Sequence, residues 1–580
     1  MARQLACGTA AMPLRPLASG RLRPGALRMD TQRLILLFIF GFSLLMLWEA
    51  WDKEHRPKPP PAAPSAQQAV PAPATPVPSP EARAPAGAVP AAAEPAATGE
   101  TLRVTTDLLI AEIDTLGGTL KRLELLRHRD SSDPSKNYVL LGPNHAYEAQ
   151  SGITGEAGPN HRSLWRALPG ERSLAPGQDA VVLRLTAAGS DGTEVEKVYT
   201  FRRNSYEIGI ALNVRSAHAG ASPAYAYFQL THDGRPELAG SSLARSFGAQ
   251  SFTGFALYTN EGKFEKIKPA ELDKGGGEHT KHANNGWLAF VQHYFVSAWL
   301  PADGVERDDV IEKRPDGIYA GRVLIELGTG VAPGTGASAS LRLYAGPQEK
   351  RRLEAAAPGL DLVVDYGWLT IIAWPLFWLL QKFHALTGNW GLAIILLTVF
   401  IKLVFFPLSA ASYKSMAKMK LITPRLTKLR EMYGHDRQKM NQAMMELYKT
   451  EKINPLGGCF PIVVQIPVFI ALYWVLLAAI ELRHAPFMLW IQDLSALDPY
   501  YVLPILMTMT MVLQTRMNPT PPDPVQAKVM KFMPFVFSIF FFFFPAGLVL
   551  YWLVNNILSI LQQWQIQRMF DRDKPAHGKR

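Results

Sequence analysis

The pattern of hydrophobic and polar positions divides this 580-residue chain into three parts. A short apolar segment lies near the start, at 34–51, and a long middle part alternates apolar with polar residues. The last third consists largely of apolar runs, several of them close to the roughly 20 residues that cross a bilayer as a helix. The pattern predicts an α-helical polytopic membrane protein that also carries an all-β domain.

The middle part, 101–348, has the alternation of a half-buried β-sheet. It is clearest in AVVLRLTAA (180–188), EVEKVYTFRR (194–203) and YEIGIALNVR (206–215), which are separated by turn-forming residues. Strands that follow one another through short turns pair antiparallel. We therefore expect an antiparallel sandwich or barrel that forms one domain.

The N-terminal region predicts an anchor and a tether. Residues 1–28 lack periodicity; a transit peptide, a disordered cationic tail or an overextended reading frame would fit, and we favour the last, with Met29 as initiator. Segment 29–52 predicts an uncleaved transmembrane anchor, because bulky residues such as Trp48 stand where signal-peptide cleavage needs small ones. Arg28 and Arg33 precede the apolar run, so we expect its N-terminus in the cytoplasm. The Pro/Ala-rich stretch 53–100 cannot bury a core and predicts a semi-rigid linker.

Residues 349–387 connect the β domain to the apolar third. Trp368, Trp374 and Trp378 lie close together there and are followed by the polar Lys382. A spanning helix would fit the length of this region. The clustered tryptophans and the polar residues after them favour instead an amphipathic helix that lies in the plane of the membrane interface. We expect the interfacial arrangement.

Region 388–567 predicts five clustered spans, which with the anchor makes six. The uncharged run 532–561 is too long for one crossing, and Pro545 breaks it, so we expect a two-helix hairpin. The hairpin also keeps the basic tail, 568–580, in the cytoplasm, as the positive-inside rule requires.

A polar helical hairpin, 412–454, interrupts the apolar third and turns near Gly434. Its basic residues far outnumber its acidic ones, so the positive-inside rule places it in the cytoplasm. Topology signalling would explain this charge, and docking of a ribosome or targeting factor would use it further. The residues expected to make such contacts are Lys414, Lys418, Lys420, Arg425, Lys428 and Arg430, with Lys579 and Arg580 of the tail.

Lys402 lies inside the apolar run 389–411, one helical turn after Thr398. A cation at the centre of a span costs roughly 2.5–3.5 kcal/mol, so it faces a polar cavity or snorkels to an interface. No acidic residue inside the five clustered spans can pair with it, and a water-filled groove open to the cytoplasm would solvate it. Gln465 and Tyr551 are further polar groups at this depth, where interhelical hydrogen bonding is the simpler explanation.

Composition and motifs narrow the function. The net charge of +11 favours an anionic partner, and the spans make a lipid surface the simplest one. Cys7 and Cys459 flank the middle part without entering it, so no disulfide framework supports that domain. The sequence has no Walker-type glycine loop and no His/Cys cluster with metal-ligand spacing. We expect no cofactor, no metal and no enzymatic activity.

Several ordered blocks carry a resemblance to a known family. They are NWGLAIILLTVFIK (389–402), SYKSMAKM (412–419), ELYKTEKINPLGGCFPIVVQIPVF (446–469), DPYYVLPILM (498–507) and FFPAGLVLYWLVNN (543–556). In these blocks the chain resembles the YidC membrane protein insertase family in its Gram-negative form. The β domain and the linker are much less diagnostic.

The resemblance implies a periplasmic β-super-sandwich of the galactose-mutarotase kind and a five-helix core around a hydrophilic groove. The groove is closed to the periplasm and open to the cytoplasm and lipid. A multi-pass inner-membrane protein of this family inserts and helps fold nascent inner-membrane proteins, alone or with the Sec translocon, and receives them from ribosomes and targeting factors.

The groove residues that the resemblance implies include a substitution. Lys402 stands where the family typically has arginine, which keeps the charge but loses the bidentate fork. Trp552 stands where the family often has a second tyrosine, so the aromatic contact remains without a second hydroxyl. The implied set is Lys402, Thr398, Gln465, Tyr551 and Trp552.

Two other classes of function stay open from the residues themselves. A secondary transporter would also carry an intramembrane charge, but it should show inverted repeats and an acidic coupling residue, and neither is visible. A membrane-tethered carbohydrate-acting protein would use the β domain, in which we find no convincing catalytic His/Glu pair.

Overall fold

The computed structural model describes residues 98–155, 158–190, 192–215, 225–236, 252–327, 336–433, 435–451, 460–518 and 524–572. All of them belong to one compact unit, Arg83–Arg580. The predicted N-terminal extension, the anchor and nearly all of the linker lie outside the described residues, and so do Lys579 and Arg580.

Two antiparallel sheets form the β domain. The strands are β1 Thr101–Thr105, β2 Leu109–Asp114, β3 Thr119–Arg129, β4 Asn137–Leu141, β5 Glu148–Ile153, β6 Arg166–Ala167, β7 Ala180–Ala188, β8 Glu194–Arg202, β9 Glu207–Arg215, β10 Tyr225–His232, β11 Gly254–Thr259, β12 Lys263–Ile267, β13 His282–Ala283, β14 Trp287–Val291, β15 Phe295–Leu300, β16 Arg307–Lys313, β17 Tyr319–Glu326 and β18 Gly336–Pro347. One sheet has the order β1-β2-β3-β5-β10-β17-β16-β13 with β4 beside β3, and the other has β12-β11-β14-β15-β18-β9-β8-β7-β6. The antiparallel β sandwich predicted from the alternation is confirmed.

A buried lysine connects the two sheets. Alternate residues of β8 point into the core, and one of them is Lys197. Its Nζ donates to the carbonyl oxygens of Gly117 at 2.9 Å and Ser151 at 2.8 Å, which belong to the other sheet and its β2–β3 turn. The amine also lies 4.3 Å from the centre of the Trp165 ring. Burial lowers the pKa of Lys197 well below its ordinary value. Its hydrogen bonds to carbonyl oxygens of the other sheet give it a structural role, because they hold the two sheets together.

The described residues that follow the β domain are largely helical, and one short helix lies within that domain. The helices are α1 Pro269–Leu272, α2 Lys350–Ala356, α3 Thr370–Thr387, α4 Trp390–Val404, α5 Phe406–Tyr433, α6 Arg437–Thr450, α7 Phe460–Ala478, α8 Val502–Met517, α9 Pro524–Phe541 and α10 Ala546–Arg572. Short 3-10 turns occur at Pro143–His145, Leu360–Val363, Gly367–Leu369 and Ile480–Leu482. The helical run is interrupted between α9 and α10, next to Pro545, where the sequence predicts a break.

A helix that crosses a bilayer needs about 20 predominantly apolar residues. Among the described residues, no single helix is both long enough and apolar enough to span alone. The pair α4 and α5, bent by 66° at their junction, meets both requirements together.

Three helix ends meet at the loop between α7 and α8, residues 479–501. At the start of α4, Asn389 Nδ2 donates to the carbonyl oxygen of Phe487 at 2.9 Å. At the start of α10, the backbone N–H of Ala546 donates to Ala496 O at 2.7 Å, and that of Gly547 donates to Leu494 O at 2.8 Å. The first residues of α4, α8 and α10 are therefore at the same end of the helical region.

The same loop rests on the β domain. Arg483 donates from Nη2 to Ser131 Oγ at 2.9 Å. Its guanidinium carbon lies 5.1 Å from the centre of the Tyr138 ring and 5.5 Å from that of Phe295. A guanidinium placed over two aromatic rings and hydrogen-bonded at its edge makes a specific contact. The end of the helical region where α4, α8 and α10 begin is thus the end that faces the β domain.

The predicted hairpin is formed by α5 and α6. Ile422 and Leu426 of α5 are buried against Met444 and Leu447 of α6. Asp436 caps α6, with Oδ1 accepting from the backbone N–H of Lys439 at 3.0 Å and from that of Gln438 at 3.1 Å. Since the chain enters α5 directly after α4, the hairpin lies beyond the end of α4 that is distant from the β domain.

The loop contact made by Asn389 can be tested by substitution. Asn389 Oδ1 caps α4 by accepting from Leu392 N at 3.0 Å, while Nδ2 anchors the loop at Phe487. Asn389→Ala removes both functions, and we expect it to lower the free energy of unfolding in detergent by about 2 kcal/mol. Asn389→Ser restores the cap alone and should recover about half of that loss; equal losses in the two variants would contradict a separate role for the loop anchor.

Candidate functional site

Polar side chains recur along α10 at four-residue intervals. Tyr551, Asn555, Ser559 and Gln563 follow one another with a spacing of one helical turn. Each four-residue step advances about 40° beyond a full turn, so the row winds slowly around the helix. Hydrogen bonds direct Ser559 to α4, Asn555 to α7 and Gln563 to the end of α8, and a ring contact directs Tyr551 to α7. We call this row the polar ladder.

Lys402 reaches the polar ladder from α4. Its Nζ donates to Ser559 Oγ at 2.7 Å, and that hydroxyl donates in turn to Asn555 O at 2.7 Å. Only 7% of the Lys402 surface is exposed within the protein. In the part of the chain that the structure describes, no carboxylate lies within ion-pair distance of this amine. The cation is therefore held next to a hydroxyl and without a counter-charge.

Thr398 shares a helix face with Lys402, as its spacing predicts, and it is buried. Its hydroxyl donates to Ile394 O at 2.7 Å, one turn back along its own helix. Because that bond occupies its proton, Thr398 forms part of the wall beside Lys402 and does not donate to another helix.

Gln465 meets the polar ladder one turn away from Ser559. Its Nε2 donates to Asn555 Oδ1 at 3.1 Å. Tyr551 lies a further turn along α10, is 1% exposed and stacks with Phe469 at 6.1 Å between ring centres. Lys402, Gln465 and Tyr551 thus occupy successive levels of one polar seam.

Trp552 lies in a different environment. Its ring makes edge contacts with Phe469 at 4.4 Å and with Phe541 of α9 at 5.0 Å. Adjacent residues of a helix point in directions about 100° apart, so Trp552 does not share the face of Tyr551. The structure therefore brings Lys402, Thr398, Gln465 and Tyr551 to one seam and places Trp552 in an aromatic layer beside it.

Further polar residues join α10 to α8, and they are not among the site residues that the sequence predicts. Asn556 Nδ2 donates to Thr510 Oγ1 at 3.0 Å, and Gln563 Nε2 donates to Asn518 Oδ1 at 3.1 Å. Amide–hydroxyl and amide–amide bonds of this kind fix one helix against another in an apolar surrounding. The four-residue recurrence along α10 could have revealed Gln563, whereas Asn556 lies outside that recurrence.

The predicted contact residues of the α5–α6 hairpin are at its surface. Lys414, Lys420, Arg425 and Lys428 are exposed, and Lys418 and Arg430 are half-buried. Arg425 pairs with Glu451 at 2.5 Å. Of the described carboxylates, none pairs with the four lysines of this set.

A group of potential metal ligands occurs in the β domain, although the sequence shows no metal spacing. His145, His232 and Asp233 bring ligand atoms within 4.8 Å of one another. His232 Nδ1 accepts the N–H of Gly234 at 2.8 Å, and its ring stacks on Phe290 at 4.1 Å between ring centres. Burial lowers the pKa of His232 to about 3. The imidazole of His232 is thus packed in the core, and its Nδ1 is already used by a backbone N–H.

Comparisons with known proteins agree over both parts of the chain. Residues 101–379 match the model of the YidC periplasmic domain, and residues 382–574 match that of the 60Kd inner membrane protein. The chain is 52% identical over 553 residues to the membrane protein insertase YidC of Methylobacillus flagellatus, covering 94% of this chain and 98% of that protein. It is 51% identical over 562 residues to the membrane protein insertase YidC of Nitrosospira multiformis, with the same coverage of 94% and 98%.

Among solved structures, the chain aligns with a crystal structure of an active YidC insertase whose first transmembrane domain is resolved. The alignment covers 80% of this chain and 91% of that one, at 16% identity and a TM-score of 0.38. Family membership therefore rests on the sequence matches.

These matches first define a class: an inner membrane protein with a periplasmic β-sandwich domain and a helical C-terminal region. The chain belongs to the YidC family of membrane protein insertases. Its function is to insert proteins into the inner membrane, its substrates are nascent membrane proteins, and it is not an enzyme in the usual sense. The transporter and carbohydrate-acting alternatives are set aside.

Proposed function

We propose that Lys402 is the receiving group of the insertase. The observation that carries the proposal is a buried ammonium with a hydroxyl neighbour and no carboxylate partner in the described residues. A buried cation costs several kcal/mol, and a single neutral hydroxyl compensates only part of that cost. A client carboxylate would complete the compensation, so the site favours the hydrophilic, often acidic, end of a membrane protein.

The client would enter by exchange. Because Lys402 is covered, a client carboxylate has to replace Ser559 as the partner of Nζ. Ser559 loses little, since its own hydroxyl donates to Asn555 O. Gln465 and Tyr551 then offer amide and hydroxyl groups to the polar backbone that follows, which lowers the cost of holding that segment within the bilayer. In this arrangement the polar seam is the wall of a groove open to the cytoplasm and lipid, and insertion needs no nucleotide.

The apolar part of the client would leave sideways along α7 and α9. Ile466 of α7 is exposed, and so are Phe532, Phe535 and Ile539 of α9. Transfer of an apolar helix from a polar groove to hydrocarbon is favourable by about 25 cal/mol per Å² of apolar surface. The exposed apolar faces next to the polar seam provide that exit.

The proposed topology has six spans, both termini in the cytoplasm and the β domain in the periplasm. It is supported by the loop 479–501, which contacts the β domain and receives the first residues of α4, α8 and α10. The basic α5–α6 hairpin then lies on the opposite side, in agreement with the positive-inside rule. The anchor 29–52 completes the count, and 349–387 is proposed to lie in the interface.

The proposed partners follow from charge and position. The exposed lysines of the hairpin, with the tail residues Lys579 and Arg580, would contact ribosomal RNA or a targeting factor through long-range attraction. Cooperation with the Sec translocon is proposed from the family resemblance alone.

Site-specific crosslinking to a stalled nascent chain tests the groove. A photo-reactive residue replaces Gln465 or Ser559 in turn, and a matched variant carries it at Leu164, which is exposed on the β domain. We expect adducts with the client's hydrophilic segment from the two groove positions and none from Leu164. Adducts that form only with lipid, or equally at all three positions, would contradict the proposed path.

A further inference from the structure

A cavity of about 420 Å³ opens between α8 and α9. Its walls include Val512 and Arg516 of α8 and Lys528, Lys531 and Phe535 of α9. No acidic residue is among the described residues that line it. The cavity therefore combines three cations with an apolar wall.

The two kinds of side chain lie at different levels. Lys528, Lys531 and Phe535 are spaced i, i+3 and i+7, which places them on one face of α9. On α8, Val512 and Arg516 are one turn apart on a common face. The cations are towards the end where α8 finishes and α9 begins. Val512 and Phe535 lie about one helical turn away from them, towards the start of α8 and the end of α9 respectively.

The cationic end is distant from the β domain. α8 begins at Val502 beside the loop that contacts the β domain and runs for 16 residues, which is about 24 Å of helix. Because the β domain is periplasmic in this family, Arg516 and its neighbours lie at the cytoplasmic side of the bilayer. This step rests on the topology given under the proposed function.

We propose that this cavity binds an anionic phospholipid of the inner leaflet, with its phosphate among Arg516, Lys528 and Lys531. Basic pockets between helices on the cytoplasmic side are suited to anionic headgroups. The acyl chains lie along Phe535 and the neighbouring exposed residues of α9, including Phe532, Val536 and Ile539. A polynucleotide would satisfy the cations but would leave this apolar face without a partner, so the observations favour a lipid.

Such a lipid would separate α8 from α9. Since α9 is one wall of the proposed exit, a bound lipid keeps that wall from closing against α8. The site therefore links the lipid composition of the inner leaflet to the geometry of the exit.

Lipid retention tests the site directly. The full chain is reconstituted in nanodiscs that contain equal amounts of phosphatidylglycerol and phosphatidylcholine, extracted in mild detergent, and its retained lipid is counted by native mass spectrometry. We expect the wild type to retain phosphatidylglycerol preferentially. In the triple variant R516Q/K528Q/K531Q, the ratio of retained phosphatidylglycerol to phosphatidylcholine should fall about tenfold. The matched variant K414Q/K420Q/K428Q removes the same charge from the α5–α6 hairpin and should retain phosphatidylglycerol as the wild type does.

Further variants and ligands distinguish a bound lipid from free phosphate and from RNA. Phe535→Ser removes the apolar wall and should weaken lipid retention while the three cations remain. The lipid assignment is overturned if the triple variant retains phosphatidylglycerol as the wild type does. It is also overturned if inorganic phosphate raises the thermal stability of the protein as much as phosphatidylglycerol does. A third contradicting result is a triple variant that loses affinity for single-stranded RNA but not for lipid. Lys402→Ala should retain lipid normally, so failure of the groove proposal and failure of the lipid proposal can be told apart.

Discussion

Lys402→Ala is expected to reduce insertion of a client with an acidic tail by about tenfold or more. Hydrogen bonds to charged groups contribute about 1.5–3 kcal/mol, and 1.4 kcal/mol corresponds to a factor of ten. Lys402→Arg keeps the charge and should keep most of the activity, with a fork that also suits a carboxylate. The measurement is the protease-protected fraction of client in proteoliposomes that contain the purified variant.

Two comparisons isolate the electrostatic contribution. A client whose tail acids are replaced by their amides should depend much less on Lys402. Ser559→Ala removes the hydroxyl that accepts from Lys402 Nζ but leaves the charge, so the acidic client should still insert. Wild-type insertion of the acidic client by Lys402→Ala would refute the role of the charge.

Much of the fold could be predicted from the sequence, because strand type and helix breaks depend on residues that are close together along the chain. Alternating residues of β7, β8 and β9 point to opposite sides of a sheet, so their periodicity predicts both strand type and buried face. The break before α10 was predictable because Pro545 cannot continue a helix and a 30-residue uncharged run exceeds one crossing.

The neighbours within the site were less predictable, because they depend on helix rotation. The partner of Lys402 is Ser559, which is 157 residues away, and no spacing rule connects two helices. Trp552 follows Tyr551 in sequence but faces an aromatic layer, since adjacent helical residues do not share a face. Thr398 was placed on the correct face, yet its hydroxyl is used within its own helix.

The contact between the β domain and the helical region was also beyond sequence reasoning. Arg483 stands near the start of the loop 479–501, outside the blocks that carry the family resemblance, and its aromatic partners come from β4 and β15. An arginine becomes part of an interface only when two distant segments meet around it. The same junction contains a carboxyl whose ionisation is strongly perturbed.

That carboxyl belongs to Glu481, in the 3-10 turn after α7. Burial raises its pKa from the ordinary value of 4.5 to about 7; the charge of Glu349 acts in the same direction, and hydrogen bonds from its own backbone and from Gln381 act against both. Since the folded state holds the proton more tightly than the unfolded state, the stabilisation is complete below pH 4.5 and is lost as the pH rises towards 7.

Glu481→Gln should remove this pH dependence. At about pH 8 we expect the variant to exceed the wild type in free energy of unfolding by about 1–3 kcal/mol, because it avoids a partly buried charge. At about pH 4.5 the two should be nearly equal, since Glu481 is then largely protonated in the folded protein. Denaturation in detergent across this pH range measures the difference, and Glu354→Gln, on an exposed side chain, controls for the loss of one negative charge. A difference that stays constant with pH would show that Glu481 does not titrate in this window.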